Sequence, residues 1–210
     1  MVKLSKTSST PAGAVRTRRA YFDFRFGQLH VRTAFPATGG FDEQVTLICL
    51  HPTQSSSRIF KRFLAQIADV RSVYAPDLPG CGESDPSPTG SLANAAGAVS
   101  DLASDLRLRE IDLLGIDGGA NVAMALAASH PTLVRRLVML GLPTGDGLPN
   151  LKQPALVMVP QHVAAQAHGK LKATLPNARY VDIADDPEKL FDSDPKSFAA
   201  QIGAYLSARF

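Results

Sequence analysis

Cysteine is scarce in this chain: Cys49 and Cys81 are the whole supply. Cys49 falls in an apolar run and Cys81 in a Gly/Pro-rich stretch, so no disulfide framework is expected and the simplest compartment is a reducing cytoplasm. No apolar run approaches the roughly 20 residues of a membrane-spanning helix, which argues against a membrane partner. The N-terminal residues lack the continuous apolar core of a secretory signal, so export by that route is not expected. No cluster of His, Cys and carboxylates has ligand spacing, and we expect no metal and no cofactor. A folded basic patch with interleaved aromatics is missing too, so nucleic acid is not an expected partner. No internal repeat is visible.

What is present suits one soluble domain: 210 residues, 45% hydrophobic and 20% charged. The net charge of +3 is unevenly spread. Lys3, Lys6, Arg16, Arg18 and Arg19 give the first 20 residues +5 with no acid, leaving −2 for the rest. With its Ser, Thr, Pro and Gly content, the segment 1–17 reads as a disordered basic arm, followed by a single domain over 18–210.

One stretch organises the domain. Ile111 to Ile116 is a short apolar run, Asp117 follows between Gly115 and Gly119, and an Ala-rich segment runs on to Ser129. This is the pattern of a strand, a sharp turn and a helix, Gly-x-Asp-x-Gly, which would lift Asp117 from the sheet beside a helix N-terminus. Upstream, Ala20–Phe26 and Gln28–Phe35 read as a hairpin around Gly27, and Val45–Leu50 as a buried strand. Ile59, Phe60, Phe63, Leu64 and Ile67 share one helix face. Ser91 caps a helix with Leu92, Ala95, Ala96, Val99, Leu102 and Leu106 inward, and Asp194-Pro195 opens a final helix burying Phe198, Ile202, Tyr205 and Leu206. Val163–Leu175 reads as a helix interrupted by Gly169. Strands alternating with helices predict an α/β fold with a mainly parallel sheet covered on both faces.

The motifs in this order resemble the α/β-hydrolase superfamily over about Arg18 to Phe210. His51-Pro52 resembles the family's His-Gly, and Pro76-Asp77-Leu78-Pro79-Gly80-Cys81-Gly82-Glu83-Ser84 matches its Pro-Asp-x-x-Gly-x-Gly-x-Ser loop. Asp117 occupies the nucleophile's place in the elbow. The resemblance implies the α/β-hydrolase fold with an N-terminal antiparallel hairpin. An aspartate nucleophile resembles the dehalogenases and epoxide hydrolases of that superfamily, in which the carboxylate attacks carbon and a His-activated water hydrolyses the ester. The N–H groups of Gly118 and Thr53 would then face the oxyanion, with His51 near the pocket floor.

Three departures stand beside these matches. No His lies between Ile183 and Phe210, and Glu188 falls about where the imidazole belongs. Pro160-Gln161-His162 replaces the acid after the seventh strand, which makes His162 the candidate base and Asp146, after the sixth strand, the candidate relocated acid. Only Gly141 to Pro154 joins the sixth and seventh strands, which leaves room to cross but none for a cap domain; a second copy of the chain is the expected cover. The chain also has no Trp, so a halide-binding Trp is excluded. Two functions fit: a hydrolase of a small ester, epoxide or activated halide with Asp117 as nucleophile or acid, or an inactive relative that binds a small molecule.

Overall fold

The computed structural model describes residues 15–37, 44–141, 143, 151–164, 169, 172, 175–184 and 186–209. Among them run β1 (Arg16–Phe24), β2 (Gly27–Phe35), β3 (Thr46–Leu50), β4 (Val73–Pro76), β5 (Ile111–Ile116), β6 (Val134–Leu140), β7 (Ala155–Pro160) and β8 (Ala178–Ile183). The helices are α1 (Lys61–Ile67), which continues a 3₁₀ turn over Ser57–Phe60, α2 (Leu92–Asp105), α3 (Gly118–Ser129), α4 (Pro187–Ser193) and α5 (Pro195–Ser207). The strands form one sheet in the order β1-β2-β4-β3-β5-β6-β7-β8. β1, β2 and β4 pair antiparallel, and every later pairing is parallel. The strand order reverses at β3, which lies between β4 and β5, so the crevice beyond the carboxyl ends of β3 and β5 is the natural place for a ligand.

The central strands are apolar on both faces because both are covered. Leu29, Val31, Ile48, Leu50, Leu113 and Met139 pack under α2 and α3. Leu47, Cys49, Val73, Leu114, Val138 and Met158 pack under α1, α4 and α5. The second layer is pinned by four phenylalanines. Phe191 of α4 meets Phe60, Phe63 and Phe198 edge-on, with ring centroids 5.2, 4.9 and 5.1 Å away. Such T-shaped pairs add to the stabilisation that burial alone provides.

Beneath the sheet's amino ends sits a charged knot. Asp112 of β5 and Arg71 are both fully buried and 3.2 Å apart, and Arg135 closes on the same carboxylate. Burial pushes the Asp112 carboxyl up, and the guanidiniums of Arg135 and Arg71 pull it back. Arg136 donates to the carbonyls of Tyr205 and Leu206, both at 2.7 Å, so the end of α5 is tied down by cations that complement its dipole.

The helix caps at Ser91 and Asp194 form as expected, with Asn94 N–H donating to Ser91 Oγ at 3.2 Å and Ser197 N–H to Asp194 Oδ1 at 3.1 Å. Three expectations need correction. β1 begins at Arg16, so Arg16 and Thr17 belong to the hairpin and pair with Phe35 and Ala34; the turn is at Arg25-Phe26 rather than Gly27. Leu92 is 39% exposed, because it is the first residue of α2 and has no helix turn before it to pack against. The segment before α5 also contains α4. The expected helix over Val163–Leu175 lies partly outside the described residues.

Because Phe191 ties α4 to α1 and α5, Phe191→Ala should cost about 3–5 kcal/mol of stability. Urea unfolding of the variant beside the wild-type chain checks this; a loss below 1 kcal/mol would mean the phenylalanine cluster is not what holds α4.

Candidate active site

The strand, sharp turn and helix around Asp117 form as the glycine spacing requires. Asp117 has φ 45° and ψ −108°, a conformation non-glycine residues rarely adopt. Strain of this kind, about 1–3 kcal/mol, persists only where neighbouring structure over-determines it. Here the Asp117 N–H donates to Leu140 O at 2.9 Å, and its carbonyl accepts from Ala120 at 3.0 Å and Asn121 at 3.2 Å. At Gly115 a methyl group would strike the backbone of Gly119 and Ala120, so β5 and α3 approach as closely as glycine allows. On the other strand, Gly141 has φ 80°, and a Cβ there would collide with Oδ1 of Asp117. The carboxylate therefore lies against the carboxyl end of β6.

A cleft of about 420 Å³ opens over that carboxylate. Its wall includes Asp117, Gly141, Pro160, His162, Val163, Asp186, Pro187, Glu188 and Lys189. The structure thus brings together three of the candidates, Asp117, His162 and Glu188. His162 is exposed in a 3₁₀ turn, Gln161–Val163, at the carboxyl end of β7. Glu188 is exposed in the first turn of α4, where an acidic side chain complements the helix dipole. Asp186 and Lys189, 3.5 Å apart, add an ion pair to the wall that sequence reasoning missed. The available signal was Asp186-Pro187, an acidic N-cap followed by proline at the first helical position. Asp146 lies outside the described residues, as does His168. Among the described residues no three of His, Cys, Asp and Glu are placed to hold a metal ion.

Thr53 and Gly118 meet at the elbow. A Cβ at Gly118 would sit 3.1 Å from the Thr53 nitrogen. The Gly118 N–H is in the first turn of α3, where no intrahelical acceptor exists. The Thr53 backbone nitrogen therefore lies against the residue that follows Asp117. Proline in the place of the family's glycine fits this turn: the Pro52 carbonyl accepts from Ser55 N–H at 3.2 Å and from His51 Nδ1 at 2.7 Å.

His51 is a loop clamp. It is fully buried, and its Nε2 accepts from Leu78 N–H at 2.9 Å, so both ring nitrogens are engaged and neither faces the cleft. Burial holds its pKa below the ordinary range, which keeps it neutral and suited to accepting that bond. The loop it clamps is organised by Asp77. The Asp77 carboxylate accepts from Ser57 N–H at 2.6 Å, Glu83 N–H at 2.9 Å and His30 Nδ1 at 2.9 Å. Burial pushes the carboxyl up, but these hydrogen bonds outweigh it and hold Asp77 below the usual carboxylate range. The Gly-rich motif is thus a scaffold that seats the His51–Ser55 turn beside Asp117.

The model of the α/β-hydrolase fold family matches residues 45–163, and the chain belongs to that family. Among its relatives, an uncharacterized protein of Mycobacterium tuberculosis (strain H37Rv) is 29% identical over 165 residues, covering 67% of this chain and 48% of the relative. The soluble epoxide hydrolase of Corynebacterium sp. (strain C12) is 32% identical over 100 residues, 47% of this chain and 35% of that protein. The chain spans about half the length, or less, of these relatives. Two solved structures share the fold. A predicted CIB-like hydrolase from Thermoplasma acidophilum superposes with TM-score 0.78 at 16% identity, covering 91% of this chain and 98% of that one. Naproxen esterase from Bacillus subtilis gives 0.77 at 16%, with 92% of each covered.

Since the folded pKa of Asp77 lies below its unfolded value, its stabilisation is full above about pH 4 and is lost as pH falls through the folded value. Asp77→Asn should lower stability by about 2–3 kcal/mol at pH 7, and the gap to wild type should narrow on acidification. Urea midpoints across the acid range measure it; a gap that widens as pH falls contradicts the assignment.

Proposed function

We propose that this protein hydrolyses a small electrophile through a covalent ester on Asp117, with an epoxide as the best-matched substrate and an activated halide next. The observation that carries the reading is the convergence of Asp117, His162 and Glu188 on one cleft at the carboxyl ends of the parallel strands. A carboxylate is a competent nucleophile toward saturated carbon, where it yields a stable ester. Attack on a carboxylic ester would instead yield an anhydride, which makes that substrate the weaker fit. The epoxide hydrolase relative, 32% identical over 100 residues, supports the same choice.

In the proposed sequence an Asp117 Oδ displaces oxygen from an epoxide carbon: the C–O bond breaks, the ester bond forms, and the ring oxygen takes a proton from solvent. Water then attacks Cγ of Asp117, giving up a proton to His162, while Glu188 favours the imidazolium. The tetrahedral oxyanion is met by the N–H groups of Gly118 and Thr53, a type of stabilisation worth about 3–4 kcal/mol per donor. Collapse expels the diol alkoxide, which recovers the proton from His162, and the Asp117 carboxylic acid so formed releases its proton to solvent, which balances the proton taken in the first step and restores the carboxylate. The alternative is a binding protein that keeps the cleft without a working base. It is favoured by the absence of any His from Ile183 to the end of the chain.

Turnover on a pooled panel of short epoxides, haloacids and esters separates the two. The wild-type chain should turn over many times, and Asp117→Asn should lose about a thousandfold or more in kcat. His162→Gln should form the ester and stop, visible as a mass adduct on the peptide containing Asp117. Undiminished turnover in Asp117→Asn refutes the nucleophile; no turnover in folded wild-type protein favours the binding reading.

A further inference from the structure

The outer face of the hairpin carries a second cleft, of about 340 Å³, lined by Thr17, Arg18, Arg19, Arg32, Thr33, Lys61 and Leu64. It shares no lining residue with the Asp117 cleft. Arg19 of β1 and Arg32 of β2 stand directly opposite each other in the antiparallel register. Like charges at facing positions destabilise a strand pair. Among the described residues Glu83 pairs with Arg19 at 3.9 Å, and it compensates little because both side chains are well exposed. Among the described residues, Arg32 and Lys61 make no ion pair with a carboxylate. The Nε of Arg32 is moreover buried without a hydrogen-bond partner, and a buried charged donor left unsatisfied is costly. Arg18 reinforces the positive potential at the rim.

We infer that this cleft between the β1–β2 hairpin and α1 is an anion site that takes a phosphoryl group. A dianion is the smallest ligand that matches the uncompensated charges of Arg32 and Lys61. A guanidinium fork holds phosphoryl oxygens bidentately, and the Thr17 hydroxyl supplies a further donor. The volume, about ten waters' worth at roughly 30 Å³ each, admits a phosphoryl group with part of whatever carries it. The phosphoryl group belongs either to a soluble phosphorylated compound or to a lipid headgroup.

Calorimetric titration of the full chain with inorganic pyrophosphate, against chloride at matched ionic strength, tests the site, with sedimentation on phosphatidic acid vesicles as the second arm. Arg32→Gln and Lys61→Gln should each weaken pyrophosphate binding about tenfold or more, and Arg32→Lys should recover part of it. Lys61 is exposed on α1, so its variant stays informative if Arg32→Gln fails to fold. Pyrophosphate binding without sedimentation assigns a soluble ligand. Sedimentation that Arg32→Gln or Lys61→Gln abolishes assigns a headgroup. Binding no stronger than chloride in both arms, or equal binding in wild type and both Gln variants, overturns the inference.

Discussion

Everything near the elbow depends on one strained residue. Asp117 holds a backbone conformation that costs energy, and the structure keeps it there by pinning both its N–H and its carbonyl while β5 and α3 close against each other. That closeness needs glycine at position 115, Gly119 lets the start of α3 pass against the Leu50 and His51 carbonyls at the end of β3, and Gly141 is what allows the carboxylate to lie against β6. The consequence is chemical. A carboxylate raised above the sheet at a helix start is aimed into a cleft instead of serving as an ordinary N-cap, and indeed no side-chain cap bond is made there.

Two polar clusters support this arrangement from opposite ends of the sheet. Above, Asp77 gathers Ser57, Glu83 and His30 and so positions the loop that His51 clamps. Below, Asp112 with Arg71 and Arg135 fixes β5 and the end of α5. Neither cluster reaches the cleft. Removing one partner of a buried ion pair leaves an uncompensated charge, which typically costs about 3–5 kcal/mol, so such groups constrain the chain even when they add little net stability.

The order of strands and helices, the sharp turn between β5 and α3, and the caps at Ser91 and Asp194 were legible because their signals are local: apolar period, glycine spacing and cap chemistry. His162 and Glu188 both follow strands of the parallel sheet, and both line the cleft that also holds Asp117. What escaped depended on distant partners. Arg16 and Thr17 look like an arm until β2 supplies their pairing. Seven residues of α4 are too few to show a helical period, and the role of Phe191 appears only when α1 and α5 surround it. Asp112 reads as one polar residue in an apolar strand, because Arg71 lies 41 positions upstream.

The most direct test of the central claim follows the oxygen atoms. If Asp117 is the nucleophile, a single turnover of an epoxide in oxygen-18 water should place one heavy oxygen in the Asp117 carboxylate and none in the product. Heavy oxygen found in the product, with the Asp117 peptide unlabelled, would mean that water attacks the substrate directly and that the carboxylate only assists.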